Sequence, residues 1–150
     1  MPRSLPVSDL RWDAWRVYFE TTALIQARIE AQLKSAAGLT LADYNILLAL
    51  VESDEGALRL KELAHRVVFS PSRLTYRIGE LKRRGLVERI ADEKDGRGAS
   101  AQITEAGRAA FTTAARAHRV DVEQMMLADL TPEEAYTMLR VFGRVRDSLS

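Results

Sequence analysis

Ser70-Pro71-Ser72-Arg73-Leu74-Thr75-Tyr76-Arg77-Ile78-Gly79-Glu80-Leu81-Lys82-Arg83-Arg84-Gly85 is the stretch on which the fold turns. Ser70 is a good N-cap, and Pro71 suits the first helical position because its missing N–H would be unpaired there anyway. Gly85 supplies a left-handed stop. Between these punctuation marks Leu74, Ile78 and Leu81 share one helical face, while Arg73, Tyr76, Arg77, Glu80, Arg83 and Arg84 share another. One stripe is built to pack and the other is nearly all cationic.

Immediately upstream, Leu60, Leu63, Ala64 and Val67 recur at helical spacing and predict a short helix. A short helix, a tight turn and a capped basic helix make a helix-turn-helix, whose second helix places its N-terminal residues against base edges in the major groove. Before the polar break at residues 52–56, Thr40 with Asp43 forms a capping box, and Tyr44, Leu47, Leu48 and Val51 mark a half-buried helix. Further back, Trp12, Trp15, Phe19, Ile25, Ile29 and Leu33 run at helical spacing from Ser8 to Ala37, until Gly38 stops them. A helix of that length would extend roughly 42 Å at 1.5 Å per residue, more than one small domain covers, so a second chain is expected against it.

Downstream, Leu86 to Ile90 is strand-like, and the tip from Asp92 to Gly98 carries an Asp-Gly pair that favours a hairpin turn. Ala99 to Ile103 is the returning strand. Thr104 then caps a helix expected from Glu105 to Ala128, and Thr131-Pro132-Glu133-Glu134 opens a last helix with Ala135, Met138, Leu139, Phe142 and Val145 on one stripe. The expected architecture is α+β and mostly helical: a single domain over 1–150, with a winged helix-turn-helix region at 40–104 and dimerisation helices at 8–37 and 105–150.

Charge follows the same plan. The chain of 150 residues has a net charge of +1, yet residues 59–97 hold 11 Lys and Arg against 6 Asp and Glu. A localised basic patch on a nearly neutral chain suits contact with a polyanion through one face. The absence of cysteine excludes disulfides, thiolate metal sites and thiol redox switches. No signal-like N-terminus and no apolar run near 20 residues is present, so the expectation is a cytoplasmic protein with no membrane partner.

The residues expected to touch duplex DNA are Ser70, Ser72, Arg73, Thr75, Tyr76, Arg77 and Arg83 on the basic helix, with Lys94 and Arg97 on the wing. Hydroxyls and backbone N–H groups at a helix start suit phosphate oxygens, and an Arg fork can bond guanine twice. Long cations on a hairpin tip can reach an adjacent minor groove or its phosphates. Asp92 and Asp95 would hold Arg97 and shape the turn. His65 and His118 lack metal-ligand spacing, so neither a metal nor any other cofactor is expected. No nucleophile with a base, paired acids or cofactor loop points to an enzyme.

The run Leu63-Ala64, Ser70 to Arg77, Leu81 to Arg89, Asp92 to Arg97 and Ile103-Thr104-Glu105-Ala106-Gly107 resembles the MarR family of bacterial winged-helix regulators. The resemblance implies a homodimer on a pseudo-palindromic operator, often a repressor released by a small aromatic or amphipathic effector. Lys94 departs from the Arg common at that point of the wing, which leaves the groove-inserting cation open between Lys94 and Arg97. Without cysteine the chain cannot be one of the family's thiol-based peroxide sensors. Trp12, Trp15, Tyr18 and Phe19 admit two readings: core or dimer contacts, or a pocket in which Trp12 and Trp15 stack on an aromatic acid held by Arg16. The alternative to a DNA reader is a winged helix used for protein contact, its basic helix meeting an acidic partner.

Overall fold

The computed structural model describes residues 9–91 and 98–149, and the chain divides into two compact units, Met1–His118 and Arg119–Ser150. In the first unit, helix α1 (Leu10–Ala37) starts at Asp9, whose side chain accepts the Arg11 N–H at 3.0 Å. It ends at Gly38 with φ 65°, a left-handed turn that a residue with a Cβ adopts only under strain. Helix α2 (Leu41–Val51) opens with both halves of the expected box: Thr40 Oγ1 accepts the Asp43 N–H, and the Asp43 carboxylate accepts the Thr40 N–H, each at 3.1 Å. Helix α3 (Leu60–Arg66) and helix α4 (Pro71–Arg83) follow, α4 capped by Ser70 with Pro71 at its first position.

Three strands make one antiparallel sheet in the order β1-β3-β2. Strands β2 (Val87–Ala91) and β3 (Ala99–Ile103) pair from Val87 opposite Ile103 to Ala91 opposite Ala99, the ribbon expected of a wing. Its tip, with Lys94 and Arg97, lies outside the described residues. Strand β1 (Ala57–Arg59) has no counterpart in the sequence reading, which passes from the polar break straight to α3. It is three residues long and its ladder partner is β3, from Ala57 opposite Gln102 to Arg59 opposite Ser100. So short a segment carries no period of its own; its register comes from a strand more than 40 positions away.

The core gathers Leu33 of α1, Leu39, Ile46, Leu47 and Leu50 around α2, Leu63 of α3, Leu74, Ile78 and Leu81 of α4, and Val87 and Ala101 of the sheet. Buried Tyr44 stacks on Phe111 with ring centroids 5.4 Å apart and tilts against His118 at 5.1 Å. Burial, aided by the charge of Glu52, raises its phenol above the usual range. His65 is exposed, and among the described residues no group of three His, Cys, Asp or Glu side chains could hold a metal ion.

Helix α5 (Glu105–Val122) begins under Thr104, whose Oγ1 accepts the Gly107 N–H at 3.0 Å and donates to the Gly85 carbonyl at 2.7 Å. One hydroxyl therefore joins the stop of α4 to the start of α5. The helix does not continue to Ala128 as its periodicity suggested; a π-helical turn takes over at Glu123–Leu127, closed by the Ala128 N–H on the Glu123 carbonyl at 2.9 Å. In the second unit helix α6 (Pro132–Leu149) starts with a reciprocal box between Thr131 and Glu134, and these hydrogen bonds lower the Glu134 carboxyl below its ordinary value. No helix among the described residues is long and apolar enough to cross a membrane.

Gly107 marks where α5 and the segment after α4 approach most closely, since a Cβ there would collide with the Leu86 carbonyl and crowd Ile103. Leu86 cannot retreat freely, because that carbonyl accepts the Thr104 N–H at 3.1 Å. Gly107→Ala should therefore destabilise the protein by about 1 to 3 kcal/mol, the range for overpacking. Urea unfolding would register it as a lower midpoint at unchanged slope.

Candidate nucleic-acid interface

Helix α4 divides into the two faces that its sequence implies. Leu74, Ile78 and Leu81 are buried, while Ser70, Ser72, Arg73, Thr75, Tyr76 and Arg83 are exposed. At its start, Ser70 Oγ accepts the Arg73 N–H at 3.3 Å and lies 3.3 Å from Ser72 Oγ. The helix N-terminus, with its outward N–H groups and two hydroxyls, is suited to an anion. The Arg73 guanidinium sits 4.0 Å from the centre of the Phe69 ring, a cation–π contact that holds it beside the helix start. Arg83 pairs with Glu80 one turn back, which raises its already high pKa and restrains its outer position.

Arg77 occupies a different place from the one expected. Its side chain is mostly buried, and its guanidinium donates to the Asp43 carboxylate and, at 2.7 Å, to Thr40 Oγ1. Its Nε is buried with no hydrogen-bond partner among the described residues. Arg84 reaches the same carboxylate at 3.6 Å and donates to the Gly38 carbonyl at 3.0 Å. Asp43, 1% exposed, thus serves α2 as a cap and α4 as a counter-ion. The sequence marks only the first role, because the capping box is local and the arginines lie 34 and 41 positions away.

Two more residues escaped the sequence reading. Val68, in the turn between α3 and α4, has φ 55° and is 87% exposed. Left-handed backbone is uncommon for any residue with a side chain and strained for a β-branched one. Phe69 packs partly against the core and lines a groove of about 870 Å³ with Ala23, Gln26 and Glu30 of α1, Thr40 at the N-cap of α2 and Asn45 within it, and Arg73, Tyr76 and Arg77 of α4. Glu30 helps to build this wall by accepting the Leu41 N–H at 2.5 Å. Trp12, Trp15 and Arg16 are not among the groove's lining residues: all three are exposed nearer the start of α1, where Trp15 meets Tyr18 and Phe19 at centroid separations of 5.8 and 5.7 Å.

A short helix, a four-residue turn, a basic capped helix and a two-stranded ribbon define a winged helix-turn-helix protein. The MarR family model matches residues 37–98, from the end of α1 into the wing. Two solved MarR family transcriptional regulators from Streptomyces coelicolor are each 30% identical to the chain. Sco3205, solved in complex with DNA, superposes with a TM-score of 0.91 over 99% of this chain and 92% of its own. AbsC does so with 0.90 over 97% and 98%. The chain belongs to the MarR family of transcriptional regulators. RdhR-CbdbA1625, an organohalide-sensing regulator solved with 2,4-dichlorophenol, shares the fold at 21% identity and a TM-score of 0.83, covering 99% of this chain and 86% of its own. Among curated proteins no sequence relative matches the chain.

Val68 yields a test that does not involve DNA. A glycine at that position removes the left-handed penalty at a smaller cost in unfolded-chain entropy, so Val68→Gly should stabilise the protein by about 1 kcal/mol. Thermal unfolding of the variant should show a higher Tm, whereas Val68→Ile should not.

Proposed function

We propose that this chain is a DNA-binding transcriptional regulator that reads duplex DNA as a homodimer in the cytoplasm and catalyses no reaction. The observation that carries this is the outward row of Ser70, Ser72, Arg73, Thr75 and Tyr76 on a helix whose opposite face is locked into the core by Leu74, Ile78 and Leu81. That geometry, with a relative of 30% identity solved on DNA, supports placing the start of α4 in the major groove. Arg83 would meet the backbone, and Lys94 or Arg97 the minor groove or its phosphates. Protein contact through the same helix has no comparable support. Leu10, Trp12, Trp15, Val17, Phe19 and Leu24 on α1, and Tyr136, Leu139, Val145 and Leu149 on α6, are large apolar side chains left exposed, which favours a two-fold partner. Reading heads related by a two-fold axis select a pseudo-palindrome.

Selection of bound duplexes from a random pool should enrich an inverted repeat. On that repeat Arg73→Ala should alter base preference, removing about 1 to 3 kcal/mol of discrimination, while Arg97→Ala should weaken all duplexes similarly and flatten the salt dependence. Binding that barely responds to salt and a pool without enrichment would refute the reading.

Repression relieved by a small aromatic or amphipathic effector completes the proposal. The groove between α1, α2 and α4 supports it better than Trp12, Trp15 and Arg16 do, since Phe69 and Tyr76 offer ring faces and Arg73 a cation within one concavity. An effector that lowers DNA affinity must itself be weakened by DNA to the same degree. Titration of aromatic acids, followed by Trp fluorescence or calorimetry with and without operator, should show that reciprocal loss; equal affinity in both states would mark a bound molecule without regulatory effect.

A further inference from the structure

Arg77 and Arg84 stand seven residues apart, and seven residues bring a helix round to nearly the same face about 10 Å further along its axis. Both side chains converge on the Asp43 carboxylate. Each also takes a second acceptor at the junction of α1 and α2: Thr40 Oγ1 for Arg77 and the Gly38 carbonyl for Arg84. We propose that Asp43 is a positioning residue for DNA reading, which fixes the rotation and tilt of α4 against the α1–α2 junction without touching DNA.

The packing of Leu74, Ile78 and Leu81 cannot do this alone. Apolar contact is non-directional and sets how deeply a helix sits, whereas charge-assisted hydrogen bonds are aimed. Two arginines about two turns apart on one carboxylate restrain rotation at both ends of the span. Base readout needs that restraint, because a bidentate contact survives only small angular error and a binding constellation must be held to within roughly 10–20°. Asp43 is itself 1% exposed, and a carboxylate would in any case repel phosphate, so any benefit to binding passes through Arg77 and Arg84. The inference rests on the DNA-reading function proposed above.

The signs make the test sharp. Removing a negative charge from a DNA-binding protein should on Coulombic grounds strengthen binding to every duplex, while loss of positioning should weaken binding to the selected site alone. Full-length Asp43→Asn, Arg77→Gln and their double variant would be titrated by fluorescence anisotropy against the selected inverted repeat and an unrelated duplex over a salt series. Each single variant should lower the ratio of selected to unrelated affinity by about tenfold, the scale of one misaligned bidentate contact. The double variant should be no worse than the poorer single, with the salt slope on unrelated DNA unchanged. Losses that multiply in the double, with a slope shallower by about 1 whenever Arg77 is absent, would make Arg77 a direct phosphate contact and overturn the proposal. So would an Asp43→Asn protein that melts earlier yet keeps the wild-type ratio, since that is a merely structural role. If Asp43→Asn fails to fold by circular dichroism, Arg84→Gln decides: a folded protein with the ratio reduced supports positioning, and one with the ratio intact refutes it. A wild-type protein that selects no duplex would remove the DNA-reading function along with this proposal, and the random-pool selection reveals that outcome separately.

Discussion

A carboxylate withdrawn from water beside two guanidinium groups is the constraint around which the first unit is arranged. Asp43 is buried where an unpaired carboxyl would be costly; its oxygens accept hydrogen bonds from the Thr40 N–H and the Arg77 guanidinium, and the Arg84 guanidinium lies beside them as an ion pair at 3.6 Å. Removing one member of such a buried pair typically costs about 3 to 5 kcal/mol, much of it from the partner left behind, so the node is all or nothing. Because Thr40 belongs to the start of α2 and the arginines to α4 and its C-cap, the node joins the end of the long helix, the buried second helix and the reading helix at one point. The C-terminal end of α4, which Arg84 already ties to this node, is held a second time just beyond the cap: Gly85 turns the chain, Thr104 holds its carbonyl, and Gly107 lets α5 close in on Leu86.

The arrangement also redistributes the charge of the basic segment. Counted along the chain, α4 and its cap offer Arg73, Arg77, Lys82, Arg83 and Arg84 to a polyanion. In space Arg77 and Arg84 are committed to Asp43 and Arg83 is paired with Glu80, while Arg73 rests on the Phe69 ring with no carboxylate partner among the described residues. The reading helix therefore carries less available charge than its sequence advertises: Arg73 at the N-terminal end, where the helix dipole is also positive, and Lys82 in the last turn.

What the sequence made legible was mostly local. Thr40 with Asp43, Ser70 with Pro71, Gly38, Gly85 and Thr131 with Glu134 each announce a helix boundary within three or four residues, and the structure places a boundary at each. The two faces of α4 were legible because period and charge agree over thirteen residues. Strand β1 was hidden because three residues have no period, and the π turn because it departs from an α-helix by a single hydrogen-bond register. The inward turn of Arg77 was hidden for a related reason: on a helical wheel it falls with the outward cations, and the groups that draw it inward, Asp43 and Thr40, are remote in sequence. The exposed row from Ser70 to Tyr76 was recoverable from the sequence, whereas the groove beside it, assembled from three helices, was not.

Val68 has a bearing on how such a protein can change. Valine and glycine codons differ at one base, so the relaxed form of the turn before α4 is a single nucleotide substitution away. Altering which bases a regulator prefers means replacing residues such as Arg73 or Tyr76, and most replacements lower stability. A lineage drifting toward a new operator therefore has a compensating step close at hand in the gene, three residues before the reading helix begins. Strain at that turn widens the set of reading helices the fold can tolerate on the way to a new specificity.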